Sequence, residues 1–575
     1  DPDTRSLLMN TSDHFLYRWQ LEALISWLKC GRRGIIEAVT GAGKTNVAIR
    51  AAADAHRRGL FVLVVVPSRV LMEQWSESLK QALPHCVIGR LGDSFSDRVD
   101  DCDVLVTTRH SASAKKPMPP DGQNGLIIAD ECHGFGGLTL RKSLIHEYEE
   151  RLGLTATLER SDDAVEKTLL PYFGGVCFRY DFAQAILDGV CAQPRVAFVA
   201  VPLAKEERDE YDLTEADLVA SRQVLRSIPD MPQEPFGAFL AAVSYLSEND
   251  AGPNGKAATT YLESFSKRRE IVATSRAKYE VLSSFAPVIL GASGALIFTQ
   301  TVKAANHAIN RLDPLLGIEI ITGDTARLER ETILTDLRKG KLDAVAAPRV
   351  LDEGIDVPNA NLGIVVNASR TRRQMIQRMG RILRIKKAGV GARFVVLYAS
   401  DTLEDPSAQE RDGFMEEIES ISESAESFGI GNIEKLVSFL DYHGPEEVVA
   451  PEKLGPLHSE DEMPSGLDEI EEYAWLSFIG WTEMTEAHRE VWENPPKFGP
   501  SIDYLEIEVL DLPEIVKQKV SPKQEARLST GDQPVTMQKI GKDFVLRCTG
   551  CGAMSDPTPF RWKALEAKVE CDCLW

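Results

Sequence analysis

Short apolar segments alternate with helical patterns in two separate stretches of the chain, and this alternation restricts the fold more than any other feature. In residues 1–180, the segment Phe61–Val66 is apolar at every position. Residues 276–400 repeat the alternation, with an apolar run at Ala295–Phe298 and a predicted strand at Ala392–Tyr398 that is apolar except for Arg393. Strands without polar alternation are typical of parallel sheets that helices cover on both faces. The sequence therefore predicts an α/β protein with two tandem, doubly wound parallel sheets.

The charge of the chain is unevenly distributed. The formal net charge is −22, and residues 401–520 contain 31 acidic and 7 basic side chains. Because this segment accounts for the acidity, the remainder is neutral enough to carry local basic grooves, and nucleic acid is not excluded as a partner. Trp475, Trp481 and Trp492 lie among apolar neighbours. They favour a packed, acidic, α-rich region over a disordered tail.

These patterns divide the chain into five segments. Residues 204–275 are rich in Glu, Arg, Leu and Ala and favour a small helical insertion between the two sheets. The predicted organisation is a first sheet domain at 1–195, a helical connector at 196–275, a second sheet domain at 276–400, an acidic accessory region at 401–520 and a small end domain at 521–575.

The cellular location follows from cysteine usage and from apolar segment length. Six of the ten cysteines are scattered through the first 191 residues, as is usual for reduced thiols. No uncharged apolar run approaches the roughly 18 residues that a membrane helix needs. No signal-peptide pattern opens the chain. We therefore expect a cytoplasmic protein that has no membrane partner.

A glycine-rich segment, Ala38–Thr45, follows a strand and opens a helix. Glycines allow backbone N–H groups to surround phosphate oxygens, and a helix N-terminus adds positive potential. Ala38 stands where the general phosphate-loop pattern has its first glycine, and a turn that binds nothing is the alternative. In the favoured interpretation Lys44 contacts the outer phosphates of ATP and the Thr45 hydroxyl ligates Mg²⁺. The expected nucleotide ligands of the loop are Thr40, Gly41, Gly43, Lys44 and Thr45.

Two carboxylates, Asp130 and Glu131, follow the apolar run Leu126–Ala129. Ligands of open α/β sheets bind at the carboxyl ends of the strands. We expect Asp130 to hold Mg²⁺, and Glu131 to position and activate the attacking water. Each residue alone could be a solvated loop acid. Together with the glycine-rich segment, they predict ATP hydrolysis.

A helical pattern near residue 380 carries two arginines on one face. Gln377, Gly380, Arg381 and Arg384 are spaced i, i+3, i+4 and i+7. Arginine has a permanent charge and a donor fork that matches phosphate. A solvated helix face is the alternative. We expect Arg381 and Arg384 to act on the γ-phosphate when the two sheets close, so that hydrolysis is linked to domain motion.

In this order, the segments resemble superfamily 2 helicases of the DEAD/H-box class, with the box spelled Asp130-Glu131-Cys132-His133. The resemblance is strongest to the XPB-like branch and to the motor subunits of type I–III restriction enzymes. It implies two RecA-like domains. It also implies that Gln20, Gly354 and Asp356 bind nucleotide, although Tyr17 and Arg18 depart from the usual residues beside Gln20. The implied coupling residues are His133, Thr155, Thr157 and Gln377.

The resemblance also implies a nucleic-acid track and a function. The implied track residues are Arg69, Thr107, Thr108 and Phe298, with Arg349 close to where relatives carry Thr or Ser. Members of this branch generally act on DNA and often translocate 3′→5′, in repair, restriction or phage defence, and the partner expected here is DNA with a single-stranded tract. An ATP-gated clamp or sensor subunit of a larger assembly is an alternative function, and an RNA helicase is another.

The last four cysteines form two close pairs, Cys548–Cys551 and Cys571–Cys573. Two such pairs joined by a longer loop can bind zinc tetrahedrally, although the second pair has one intervening residue where two are usual. A redox or iron–sulfur role and unligated thiols are the alternatives. Because aromatic and basic residues lie nearby, this zinc-ribbon-like end could bind nucleic acid or a protein partner. The acidic region could also bind a protein partner.

Overall fold

The computed structural model describes most of residues 16–454 and one C-terminal hairpin. The described residues are 16–137, 139–160, 162–233, 236–312, 316–348, 360–367, 378–384, 389–405, 418–448, 450–454, 535–540 and 543–548. Among them, no helix is both long and apolar enough to cross a membrane.

The first domain is an eight-stranded sheet with helices on both faces. Its strand order is β5-β4-β6-β3-β7-β8-β2-β9, and every pairing is parallel except β4 with β5. The strands, with β1 outside this sheet, are β1 (Leu16–Tyr17), β2 (Arg33–Ala38), β3 (Phe61–Val66), β4 (Ile88–Gly92), β5 (Phe95–Ser96), β6 (Val104–Thr108), β7 (Gly125–Asp130), β8 (Glu150–Thr155) and β9 (Val176–Tyr180). The helices are α1 (Arg18–Lys29), α2 (Lys44–Arg57), α3 (Arg69–Ala82), α4 (Arg109–Lys115), α5 (Leu170–Phe173) and α6 (Phe182–Leu187).

The second domain is a seven-stranded, fully parallel sheet, which confirms the predicted pair of RecA-like sheets. Its strand order is β12-β13-β11-β14-β15-β10-β16. The strands are β10 (Pro194–Val201), β11 (Ala295–Thr299), β12 (Ile318–Ile320), β13 (Ala344–Pro348), β14 (Leu362–Val365), β15 (Ala392–Ala399) and β16 (Ser424–Gly429). After the helical segment described below, its helices are α10 (Arg276–Ser283), α11 (Ala286–Leu290), α12 (Val302–Leu312), α13 (Arg327–Arg338) and α14 (Ile433–Leu440).

Two strands of the second sheet come from segments that we assigned elsewhere. Strand β10 overlaps the predicted helical connector, yet it pairs in parallel with both β15 and β16. Strand β16 lies in the predicted acidic region. It is an edge strand in which only Phe428 is buried, so its composition resembles that of a surface segment. The second domain therefore extends beyond residues 276–400 in both directions.

The segment between the two sheets forms three helices, α7 (Lys205–Arg226), α8 (Phe236–Asn249) and α9 (Pro253–Ala273). They enclose a small core of their own, which includes Leu225, Phe239 and Tyr261. Two further short pieces complete the described chain. Strand β17 (Lys453–Leu454) pairs antiparallel with β1, and β18 (Val535–Ile540) forms an antiparallel hairpin with β19 (Asp543–Cys548).

A buried ion pair fixes the start of α10 to the loop after β15. The Lys278 ammonium is fully buried and donates a hydrogen bond to the Glu404 carboxylate. Burial lowers the pKa of Lys278, and the charge of Glu404 opposes that effect. Breaking such a pair leaves a buried charge without compensation, which is costly.

We therefore expect Glu404→Gln to destabilise the second domain by about 3–5 kcal/mol, because the ammonium loses its counter-charge at nearly unchanged volume. Urea denaturation measures the effect. The control is Lys167→Ala, which breaks an exposed pair with Asp163 and should change stability by less than about 1 kcal/mol. Equal effects of the two substitutions would contradict the prediction.

Candidate nucleotide site between the two sheets

The glycine-rich loop connects the end of β2 to the start of α2. Gly41 and Gly43 adopt φ angles of 86° and 94°, in the left-handed region that favours glycine. The Lys44 ammonium lies within the loop and donates to the carbonyl oxygens of Ala38 at 2.6 Å and Val39 at 3.3 Å. Burial lowers the pKa of Lys44, against the opposing charges of Glu131 and Asp130. The Lys44 ammonium is therefore held beside Asp130 and Glu131, the two carboxylates that are candidates for catalysis.

Gln20 supports this loop from behind. Its side chain is fully buried, and its amide nitrogen donates to the carbonyl oxygen of Gly43 at 3.0 Å. Its amide oxygen accepts a hydrogen bond from the backbone N–H of Tyr17 at 2.9 Å. A Cβ atom added at Gly43 would lie 2.7 Å from the Gln20 amide nitrogen. Gln20, which is expected to bind nucleotide, therefore also holds the loop in position.

Asp130 and Glu131 lie at the carboxyl end of β7, beside the loop. The Asp130 carboxylate accepts hydrogen bonds from the Trp75 indole N–H at 2.8 Å and from the Glu131 backbone N–H at 3.0 Å. Burial, and then the charge of Glu131, raise the pKa of Asp130 to about 6. Glu131 has a φ of 49°, a rare backbone conformation that occurs often at functional sites.

A hydrogen-bonded chain joins the ends of β7 and β8. Thr155 Oγ1 donates to the Thr157 carbonyl at 2.7 Å and lies 3.1 Å from His133 Nδ1. Because the hydroxyl has one proton, His133 Nδ1 must be the donor in that contact. His133 Nδ1 also lies 3.4 Å from a Glu131 carboxylate oxygen. Burial alone would raise the pKa of Glu131, but His133 and the charge of Lys44 hold it at about 2.

The second sheet contributes a close backbone contact to the same loop. Gly380 lies in a helical turn, and a Cβ atom added there would be 1.7 Å from Thr40 Oγ1. Arg384 follows, with its Cγ atom 3.1 Å from the Cβ position of Gly41. The charge of the buried Arg381 contributes to lowering the pKa values of Lys44 and Glu131. Both arginines therefore lie at the glycine-rich loop.

Two of the four described track candidates are buried, which corrects the expectation for them. Phe298 is 1% exposed in the core of the second sheet, with the Arg378 guanidinium 5.4 Å from its ring centre. Thr107 is fully buried, and its hydroxyl donates to the Leu91 carbonyl at 2.8 Å. Side chains at alternate strand positions point to opposite faces. Motif position alone therefore did not reveal which side chains point inward.

Arg69 and Thr108 remain as track candidates on the first sheet. Arg69 is exposed, and its guanidinium lies 2.8 Å from Asp93. Thr108 pairs with Val66 at the carboxyl edge of the sheet, and its hydroxyl caps α4 by accepting from Ser111 N–H at 3.3 Å. Both residues therefore lie at the sheet edge that carries the glycine-rich loop.

Some expected residues cannot be compared with the structure. Those outside the described residues are Arg349, Gly354, Asp356, Gln377, Cys551, Cys571 and Cys573. Cys548 ends strand β19, where its backbone pairs with Val535. Conversely, no sequence pattern indicated a role for Trp75 or for Arg160, which donates to the His133 carbonyl. An indole at a core position of an amphipathic helix resembles any other packed residue.

Residues 13–160 match the protein family described as "Type III restriction enzyme, res subunit", and residues 278–386 match "Helicase conserved C-terminal domain". The DNA 3'-5' translocase XPB2 of Sulfurisphaera tokodaii is 31% identical over 64% of this chain and 78% of its own length. The DNA 3'-5' helicase XPB of Mycobacterium tuberculosis is 26% identical over 67% of this chain and 61% of its own.

A relative from Drosophila melanogaster is named as the "General transcription and DNA repair factor IIH helicase/translocase subunit XPB". It is 26% identical over 67% of this chain and 44% of its own length. The chain therefore spans most of the archaeal protein, but under two thirds of the mycobacterial and fly proteins.

The indole of Trp75 orients the carboxylate that is expected to bind Mg²⁺. We expect Trp75→Phe to raise the Mg²⁺ concentration needed for half-maximal ATPase activity by about 10-fold, as when other outer-shell partners are lost. A Mg²⁺ titration of ATPase activity measures this. The control is Trp27→Phe, which removes a buried indole bonded to the Arg151 carbonyl at 3.0 Å. An unchanged Mg²⁺ requirement in Trp75→Phe would contradict the prediction.

The contact between Gly380 and Thr40 leaves no room for a methyl group. We expect Gly380→Ala to lower ATP turnover by about 100-fold or more, since a displacement of about 1 Å at a catalytic site can have that effect. Each sheet should still fold, as circular dichroism can verify. Gly429→Ala is the control, because no atom lies within 4 Å of its Cβ position. Wild-type turnover in Gly380→Ala would show that the sheets function apart.

Proposed function

The chain belongs to the XPB-like family of superfamily 2 helicases, and on that basis we propose that it is a DNA-stimulated ATPase that translocates 3′→5′ on DNA. ATP-dependent helicase or translocase activity is the activity of its relatives. One observation carries the proposal for this chain. Gly380 of the second domain lies against Thr40 of the first domain. The positive charge of Arg381 therefore contributes to lowering the pKa values of Lys44 and Glu131.

ATP and Mg²⁺ fit the residues of this site. The left-handed conformations of Gly41 and Gly43 form a loop that can surround phosphate oxygens. The raised pKa of Asp130 indicates a carboxylate whose charge is poorly compensated by the protein, as expected for a residue that binds a cation. Asp130 and Thr45 would hold the Mg²⁺, which when bound neutralises charge on the phosphate oxygens.

The protein groups around the γ-phosphate have separate roles. Glu131 remains ionised at neutral pH and can accept a hydrogen bond from the attacking water. The contacts among His133, Thr155 and Thr157 hold the His133 ring beside the Glu131 carboxylate. Arg381 and Arg384 supply positive charge from the other sheet, so hydrolysis requires the closed arrangement of the two sheets.

DNA as the substrate, the polarity and a role in DNA repair are proposed from the names of the relatives. The proposed track on the first domain includes the exposed Arg69 and the half-buried Thr108. The thiols of Cys30, Cys86, Cys102, Cys132 and Cys177 form no disulfide bond, which supports a cytoplasmic location. The hairpin that ends at Cys548 supports a zinc-binding ribbon with Cys551, Cys571 and Cys573. That end and the acidic region are the proposed surfaces for protein partners.

The test compares ATPase activity and strand displacement on matched DNA and RNA substrates. Stimulation by DNA with movement along it supports the proposal. Equal or greater stimulation by RNA would indicate an RNA helicase. ATP-dependent binding to DNA without displacement of a strand or of a bound protein would indicate a clamp or sensor.

Glu131→Gln separates ATP binding from hydrolysis. We expect this variant to bind ATP, to hydrolyse it at least about 1,000-fold more slowly, and to stay on DNA longer when ATP is present, because the water loses its acceptor. Single-turnover hydrolysis and a filter-binding assay measure the two effects. Glu147→Gln, which alters an exposed acid of the same domain, is the control. Wild-type hydrolysis by Glu131→Gln would refute the assignment.

A further inference from the structure

Three side chains with different metal-binding atoms meet at the edge of the first sheet that faces away from the nucleotide loop. The ligand atoms of His56, Cys86 and Asp103 all lie within 4.8 Å of one another. In the part of the chain that the structure describes, this is the group of His, Cys, Asp and Glu side chains that could hold a metal ion. We propose that these three residues bind one Zn²⁺ or a similar borderline-soft divalent cation.

The three residues come from separate segments of the first domain. His56 lies in the last turn of α2, Cys86 lies between α3 and β4, and Asp103 immediately precedes β6. Helix α2 has 14 residues, so it places His56 about 20 Å from the nucleotide loop at its other end. The carboxyl end of a helix carries partial negative charge, which favours a cation there. This site is therefore distinct from the Mg²⁺ site.

The combination of ligand types selects the metal. An imidazole, a thiol and a carboxylate together suit zinc, whereas Mg²⁺ and Ca²⁺ prefer oxygen ligands alone. Tetrahedral zinc with bond lengths of 2.0–2.3 Å places its ligand atoms about 3.3–3.8 Å apart. The ligand atoms of the three residues lie within 4.8 Å of one another. Small side-chain rotations would therefore bring them to the distances that zinc requires. The backbone N–H of Val87 donates to the Asp103 carboxylate at 2.8 Å and orients it.

A cavity lies beside two of the three proposed ligands. Its volume is about 360 Å³, and His56 and Asp103 both line it, together with Asp100 and Cys102. A water molecule in this cavity can complete the tetrahedron, as in zinc sites that have three protein ligands. The Cys102 thiol is engaged elsewhere, since it donates to the Arg98 carbonyl at 3.2 Å. Cys102 is therefore a matched comparison residue and not a fourth ligand.

A metal at this position would act structurally on the motor domain. It would fasten the end of α2, the loop before β4 and the start of β6 to one another. Helix α2 begins at the glycine-rich loop, so the metal would limit its tilt relative to the sheet. Removal of the metal should therefore lower the melting temperature of the first domain.

The test measures zinc per chain in the full-length protein after dialysis against a weak chelator. The terminal cysteines can hold a second zinc, so the readout is a difference between variants. Cys86→Ser and His56→Asn should each lose one equivalent of zinc relative to the wild type. His85→Asn and Cys102→Ser, which alter neighbouring residues outside the cluster, should lose none. In the Co²⁺-loaded protein, Cys86→Ser should lose the charge-transfer absorption of one thiolate.

A second arm removes the terminal cysteines from the measurement. The full chain with Cys548, Cys551, Cys571 and Cys573 all changed to Ser should retain one zinc, and a chelator should lower its Tm. The proposal would be overturned if both Cys86→Ser and His56→Asn retained all zinc. It would also be overturned if the protein with the four terminal Cys→Ser changes contained no metal and still unfolded cooperatively. Should one single variant fail to fold, the other and the Co²⁺ spectrum of the four-serine protein still decide the question.

Discussion

The close approach of Gly380 to Thr40 determines how the two sheets can act together. At this contact the loop of one sheet lies against the backbone of the other, and Arg381 influences both Lys44 and Glu131. Charges interact strongly when buried and weakly across water, where screening at physiological salt acts over about 8 Å. A small separation of the sheets therefore removes the arginines from the site. In the proposed mechanism, hydrolysis depends on the relative position of the two domains for this reason.

Within the first sheet, neighbouring side chains give two adjacent carboxylates opposite properties. Asp130 is buried with an indole N–H as its side-chain partner, and its pKa is raised. Glu131 contacts His133 and is close to the charge of Lys44, and its pKa is lowered. Pairs of titratable groups whose pKa values are driven apart commonly divide the work of a catalytic site. Here the division matches the proposed cation binding by Asp130 and the proposed water activation by Glu131.

The sequence predicted those parts of the structure that depend on local pattern. The bounds of strand β3, Phe61–Val66, were predicted correctly, because a run of apolar residues is favourable only where both of its faces are buried. Strand β16 escaped prediction because an edge strand has few buried positions. The prediction that Phe298 contacts nucleic acid was wrong, because a motif locates a strand without showing which face of the sheet a side chain occupies. The Trp75 contact depends on a helix and a strand that are distant in sequence, so no local signal could predict it.

The described chain beyond residue 400 adds one strand to the second sheet and pairs with β1, which lies beside the first sheet. Strand β16 covers the edge of β10, whose residues are mostly buried. Farther on, β17 pairs with β1 through two residues, and Glu452 lies 3.3 Å from Arg18 at the start of the first domain. The long β10–β16 pairing resists separation, whereas the two-residue pairing can break at little cost. Strand β16 therefore belongs firmly to the second sheet, whereas β17 contacts the first domain through a short pairing that a relative movement of the two domains would break.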